Sequence, residues 1–334
     1  MKAFTIRGKL DGSVEEIPTP EPKADEVRIK VAFVGICGSD LHYYFDGANG
    51  AFVVKEPLIP GHELSGTIDF DPSGQYLPGT PVTVHPSSLG KSEPGIEEQP
   101  HLWPGGGYLG SASTWPHTQG GMSEYLIMKR SSVRLLPTSL TLKTAALAEP
   151  LGVSLHAIAI AGGVSGKKVL VSGAGPIGIL TVAAAKVGGA TEIVATDLLP
   201  SPLARAKELG ATGVIQIGQD QIPENYFDVV FECSGSAPGV SGAIAAARRA
   251  GIVVQVGMLA AGNQAIAIAP LVSKELQLRG TFRFNNEVDQ AIEVLAANPW
   301  ISSAITHVYE LADAVAAFEM AKNSEQSGKV LVAL

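Results

Sequence analysis

The chain has 334 residues, 46% hydrophobic and 17% charged, a formal net charge of −8 and only two cysteines. That length suggests two domains able to bury sizeable cores. An acidic balance without a basic run excludes a nucleic-acid surface, and two cysteines exclude a disulfide framework. The opening residues, Met1-Lys2-Ala3-Phe4-Thr5-Ile6-Arg7, reach charge at once and lack the apolar core of a signal peptide. The most apolar stretch, 145–164, is cut by Glu149, Pro150 and His156 and falls short of a membrane span. The expectation is a cytoplasmic protein that works away from membranes.

The first part, residues 1–150, carries short alternating runs broken by Pro and Gly. Val27 to Val34 alternates with period two and predicts a half-buried strand. Glu63 to Phe70 and Pro81 to His85 continue the β character, and 86–121 reads as loop. From 151 the texture changes to apolar strands alternating with alanine-rich helices. Lys167 to Val171 is a strand followed by a helix over Pro176 to Val187. Glu192 to Asp197 is the next strand, with a helix over Pro202 to Leu209. Phe227 to Glu232, Gly251 to Val256 and Glu275 to Gly280 supply later strands. This alternation predicts an α/β fold with a doubly wound parallel sheet over 151–284. Residues 285–334 add two helices and a last strand, Lys329 to Ala333, and read as a return to the first domain.

Two constellations carry chemistry. Val169-Leu170-Val171-Ser172-Gly173-Ala174-Gly175-Pro176-Ile177-Gly178 runs from a predicted strand through a glycine turn into a predicted helix. The first glycine makes the tight turn, the second lets backbone approach a pyrophosphate, and the third lets helix and strand pack closely. The helix N-terminus, at Pro176 and Ile177, then faces the phosphate charge. Asp197 ends the next strand, about 20 residues on, where a carboxylate can hold a ribose 2′-hydroxyl. No arginine stands among Leu198 to Pro202, so the expected cofactor is NAD rather than NADP. The bland alternative is a turn cluster of glycines beside a solvated aspartate.

The second constellation lies upstream. Gly35-Ile36-Cys37-Gly38-Ser39-Asp40-Leu41-His42 and Gly61-His62-Glu63-Leu64-Ser65-Gly66 bring a thiolate, an imidazole and a carboxylate into one short stretch. Zn²⁺ accepts that mixture, and a catalytic zinc needs three protein ligands, with the fourth position left for water or substrate. Read singly, Cys37 is a small buried hydrophobe and His62 a satisfied core histidine.

With Glu149-Pro150 included, these runs resemble the zinc-dependent medium-chain alcohol dehydrogenases over nearly the whole chain. Asp40 to Tyr44 and Leu278 to Phe284 resemble the polyol branch of that family, the sorbitol and L-idonate 5-dehydrogenases. The resemblance implies a GroES-like β domain joined to a Rossmann domain, with the active site in the cleft between them. It implies Cys37 and His62 as ligands of one catalytic zinc, with Glu63 or Glu149 as the third. Zinc would lower the pKa of a substrate hydroxyl, and hydride would pass to NAD. Ser39 would take the proton, with the nicotinamide ribose as bridge to His42. Tyr44, Glu149 and Arg283 would contact an extended polyhydroxy substrate, Arg283 through a carboxylate. The family often carries a lobe of four cysteines that binds a structural zinc. No cysteine lies in 86–110 here, so no such site is expected, and Leu102, Trp103 and Tyr108 are expected to pack that lobe instead. A homodimer or homotetramer is implied. Two other readings remain: a dehydrogenase of another secondary alcohol, such as L-threonine or a butanediol, and a zinc-free nucleotide sensor.

Overall fold

A computed structural model describes residues 1–334. The chain divides into two compact units. The first comprises Met1–Glu149, Ala291–Asn323 and Lys329–Leu334, and the second Pro150–Gln290 with Ser324–Gly328. The return to the first unit therefore begins at Ala291 rather than at 285, and a short piece of the tail goes with the second unit. No helix is long and apolar enough to cross a membrane.

The first unit is built on a seven-stranded sheet. Its path runs Val133–Leu135, Pro81–Val84, Glu63–Phe70, Glu26–Gly35, Lys329–Ala333, Ile305–Glu310, and Tyr125–Lys129 also pairs with Glu26–Gly35. The two central partners, Glu26–Gly35 and Glu63–Phe70, are antiparallel with Gly35 opposite Glu63. Val27, Ile29 and Val31 are buried in the alternation that the sequence predicts, and a register shift after Val31 leaves Val34 buried out of that phase. A separate hairpin, Lys2–Gly8 with Asp11–Glu16, packs Phe4 and Ile6 into the same core. The last strand, Lys329–Ala333, is an interior member of the sheet although it comes from the far end of the sequence. The strand Ile305–Glu310 has no clear sequence signature, because its side chains are mostly half-buried and its alternation is weak.

The second unit is a six-stranded parallel sheet. Its order is Gly213–Gln216, Glu192–Asp197, Lys168–Ser172, Phe227–Glu232, Ala247–Gln255, Gln277–Gly280, which is the Rossmann order 3-2-1-4-5-6. Val169, Leu170 and Val171 are fully buried, as expected for a strand covered on both faces. The short strand Gly213–Gln216 adds to the strands that the sequence predicts, and Ala247–Gln255 starts four residues before its expected bound.

Candidate active site

Strand pairing in the first unit brings the two metal-type runs together. Glu26–Gly35 delivers Cys37 just beyond its end, and Glu63–Phe70 starts from Gly61-His62. Cys37 is the N-cap of the helix Gly38–Asp46. The donor atoms of Cys37, His62 and Glu63 all lie within 4.8 Å of one another. Two of the polar atoms here, His62 Nδ1 and Glu63 Oε2, are buried without a hydrogen-bond partner. Buried polar atoms left unmatched are costly, so this pair calls for a group that accepts both donors. A thiolate, an imidazole and a carboxylate converging in this way fit a tetrahedral zinc with one open position. Glu149 is not among the three.

Asp40 ties the two runs to each other. It is completely buried, accepting the Cys37 N–H at 2.9 Å through Oδ2 and the Gly61 N–H at 3.1 Å through Oδ1. Burial raises its pKa above the usual carboxylate value, against the pull of His62 and of those two amides. Burial likewise opposes a charge on His62, but Cys37, Asp40 and Glu149 outweigh it and lift the imidazole pKa well above that of a free histidine. Tyr108 donates its hydroxyl to Glu149, and its ring meets His62 edge-on at 5.2 Å. Glu149 is buried, and desolvation raises its pKa, with His62 and Tyr108 pulling it down and Glu63 pushing it up. Lys329 completes the cluster, its ammonium 2.6 Å from Glu63 Oε1. Burial lowers the Lys329 pKa, but Glu63 and Cys37 more than compensate and raise it.

Asp40, Tyr108 and Lys329 received no site role from sequence. A signal existed for each. Asp40 stands three residues after Cys37, at capping-box spacing. Tyr108 is an aromatic among glycines. Lys329 is a charge at the head of an otherwise apolar strand.

Other expected residues fall elsewhere. Ser39 is half-buried in the first turn after Cys37, and His42 is exposed, its Nδ1 3.0 Å from Asp46. The substrate role expected of Tyr44 is corrected. Its ring is only 5% exposed and packs against Phe4, Phe45 and Phe318, so it is a core aromatic. Of the three residues expected to pack the cysteine-free lobe, Leu102 is exposed, Trp103 is half-buried and donates its indole N–H to the Ile96 carbonyl, and Tyr108 is buried with its hydroxyl on Glu149. Backbone bonds close the lobe: Lys91 N–H to the Pro104 carbonyl and Leu109 N–H to the Pro86 carbonyl.

In the second unit the glycine turn has the properties its motif needs. Gly173 adopts φ +92°, a conformation that favours glycine, and a Cβ there would meet Ser234 backbone at 2.8 Å. A Cβ on Gly178 would stand 1.9 Å from the Gly173 carbonyl, so helix and strand pack too closely for any side chain. Gly175 faces open space within 4 Å, leaving backbone accessible at the N-terminus of the helix Pro176–Val187. These features fit a dinucleotide pyrophosphate. Asp197 Oδ2 accepts the Ala174 N–H at 2.9 Å and Oδ1 the Leu199 N–H at 3.1 Å, so the acid is fastened to the turn. Arg205, further along the next helix than the 198–202 window, feels the Asp197 charge, while its guanidinium donates to the Ser324 and Glu325 carbonyls. Arg283 follows the edge strand with φ +52°, and its guanidinium stands 4.7 Å from the Phe282 ring centroid.

Two family models match. Residues 23–138 match the alcohol dehydrogenase GroES-like domain, and 176–297 the zinc-binding dehydrogenase family. The chain is 36% identical to L-idonate 5-dehydrogenase (NAD(P)(+)) of Escherichia coli (strain K12), over 98% of this chain and 97% of that one. It is also 36% identical to sorbitol dehydrogenase of Bacillus subtilis (strain 168), over 89% and 86%. The crystal structure of L-idonate 5-dehydrogenase from Escherichia coli superposes with a TM-score of 0.94 at 33% identity, covering 100% of this chain and 98% of that one.

Proposed function

The chain belongs to the zinc-binding alcohol dehydrogenases, and from that premise we propose that it oxidises a secondary hydroxyl of a sugar acid, L-idonate first and neutral polyols such as sorbitol second. The observation that carries the reading is the convergence of the half-buried Cys37 with the buried His62 and Glu63, the latter two with unmatched polar atoms. A sensor that binds only nucleotide has no use for that set. Cys37, His62 and Glu63 hold the metal in this reading, and the absence of cysteine from 86–110 supports one zinc per chain.

Zinc held there supplies Lewis acidity that lets a bound hydroxyl lose its proton near neutral pH. The chain's own groups do the rest. Glu149, oriented by Tyr108, is the hydrogen-bond partner for the reacting oxygen or a water beside it. Ser39 takes the proton, and the exposed His42, oriented by Asp46, delivers it to solvent. Asp197, fixed on the glycine turn, reads the adenosine ribose and favours NAD; use of NADP would need its carboxylate to tolerate a phosphate. Arg283 anchors the substrate carboxylate. The edge strand Gln277–Gly280, with Leu278 exposed, supports pairing with a second copy as a homodimer or homotetramer. The unpaired cysteines, Cys37 and Cys233, fit a reducing cytoplasm.

The test is an oxidation screen with NAD⁺ over L-idonate, sorbitol, xylitol, D-gluconate and L-threonine, with metal analysis of the same preparation. One zinc per chain and the highest specificity constant for L-idonate are expected. Arg283→Ala should then lower the idonate-to-sorbitol ratio of specificity constants, because only the acid loses a charge-assisted contact. An unchanged ratio removes Arg283 from the carboxylate, and full activity without metal removes the mechanism.

A further inference from the structure

The last strand begins with a buried cation to which the chemistry above gives no task. Lys329 is 2% exposed. Its ammonium donates to Glu63 Oε1 at 2.6 Å and to the Ile36 carbonyl at 3.1 Å. The Ile36 N–H in turn donates to the Val330 carbonyl at 3.0 Å. One short stretch of the last strand thus grips the residue before Cys37 and the residue after His62. Position 35 makes room for the arrangement: Gly35 pairs with Glu63, and a Cβ on it would stand 2.1 Å from Glu63 Oε2. One oxygen of Glu63 is therefore engaged by Lys329, and the other is buried over a glycine with no hydrogen-bond partner.

We propose that Lys329 is a positioning residue of the metal centre: its ammonium fixes Glu63 through Oε1, reserves Oε2 as the metal donor, and supplies in the metal-free protein the positive charge that zinc supplies in the loaded one. This rests on Cys37, His62 and Glu63 being the ligands. An ionised carboxylate buried this completely is costly without a partner cation, so a metal-free pocket lacking Lys329 would hold an uncompensated charge or a displaced side chain. The loaded pocket would not, because the metal compensates Glu63. Two cations beside one carboxylate also repel each other, so Lys329 tempers zinc affinity while it keeps the empty pocket in shape. A lysine that merely fills space would stabilise both forms equally.

The experiment is a thermodynamic cycle on the full chain. Wild type, Lys329→Met and the double variant Glu63→Gln/Lys329→Met are each unfolded thermally with zinc and after chelator treatment. Zinc Kd is read by competition with a chromophoric chelator. Metal-free Lys329→Met should lose roughly 10 °C in Tm, the scale of breaking a buried ion pair in a large domain. The zinc-loaded variant should lose less than half as much. Because zinc then binds the variant's folded state with more gain, its Kd should fall at least about tenfold. The double variant should recover metal-free stability, since both charges leave together. If Lys329→Met does not fold without zinc, recovery of folding in the double variant supports the inference in the same way. Equal Tm losses with and without zinc overturn it, as does a double variant no more stable than Lys329→Met. Wild type that binds no zinc would instead overturn the ligand assignment.

Discussion

Asp40→Asn is the sharpest probe of how the ligand runs are held. The change keeps the shape but turns one of two acceptor oxygens into an NH₂ group. Oδ1 and Oδ2 each take a backbone N–H, from Gly61 at 3.1 Å and Cys37 at 2.9 Å, and both bonds are buried. Whichever way the amide settles, a donor faces a donor and one main-chain N–H loses its partner. Leaving a buried N–H unmatched costs about 1–3 kcal/mol, and the surviving bond loses its charge assistance. The neutral amide recovers part of the desolvation cost that raises the Asp40 pKa. The net is about 2 kcal/mol of destabilisation, or roughly 5 °C in Tm for a domain of this size. The damage is local to the segments bearing Cys37 and His62, so zinc retention after dialysis against chelator should drop with Tm. Differential scanning calorimetry and metal analysis read the two effects. As control, Asp46→Asn on the exposed end of the same helix should shift Tm by less than about 1 °C. An Asp40→Asn protein that matches wild type in both Tm and zinc retention would refute the claim that this carboxylate couples the runs.

Three further outcomes are expected. Asp197→Ser loses the contact to Ala174 and the ribose partner together, and the NAD⁺ KM should rise about 10–100-fold; steady-state kinetics with both cofactors checks it. The Arg130 guanidinium, with backbone amides of Ser73 and Tyr76, holds the Asp71 carboxyl well below the usual carboxylate range. Its stabilisation is therefore complete above about pH 4, the value for an unfolded aspartate, and is lost as pH falls toward the depressed folded value. The Tm gap between wild type and Asp71→Asn should hold its full width above about pH 5 and narrow progressively as the pH falls below about 4. Burial pushes the Cys233 thiol up to about 12, with Thr181 drawing it down and Glu232 adding to the rise. Iodoacetamide at pH 8 should leave Cys233 unlabelled in the native protein and modify it only on unfolding, as peptide mass mapping would report.

Much of this protein is written in local pattern. The Rossmann half is legible because its strands are continuous apolar runs and its glycines fall where φ, backbone access and close packing each demand them: Gly173, Gly175 and Gly178 meet those three needs one apiece. Cys37, His62 and Glu63 are nameable because their side-chain chemistry is rare in an otherwise cysteine-poor chain. Spacing does not choose between Glu63 and Glu149, since both are carboxylates of suitable type. Tertiary structure gives them different surroundings: sheet register sets Glu63 opposite Gly35 with a carboxylate oxygen near the donor atoms of Cys37 and His62, while Tyr108 donates to one oxygen of Glu149. Nor does local pattern tell that Tyr44, near the polar His42, turns into an aromatic core with Phe318 from the chain's far end. Lys329 is the clearest case. In sequence it is a charge at the head of a strand 266 residues from Glu63, and only the insertion of that strand beside Glu26–Gly35 makes it the partner of Glu63. Conformational preference and residue chemistry are properties of neighbours along the chain, so sequence carries them. The pairing of buried charges depends on contacts closed across the whole fold, and those exist only once the sheet has formed.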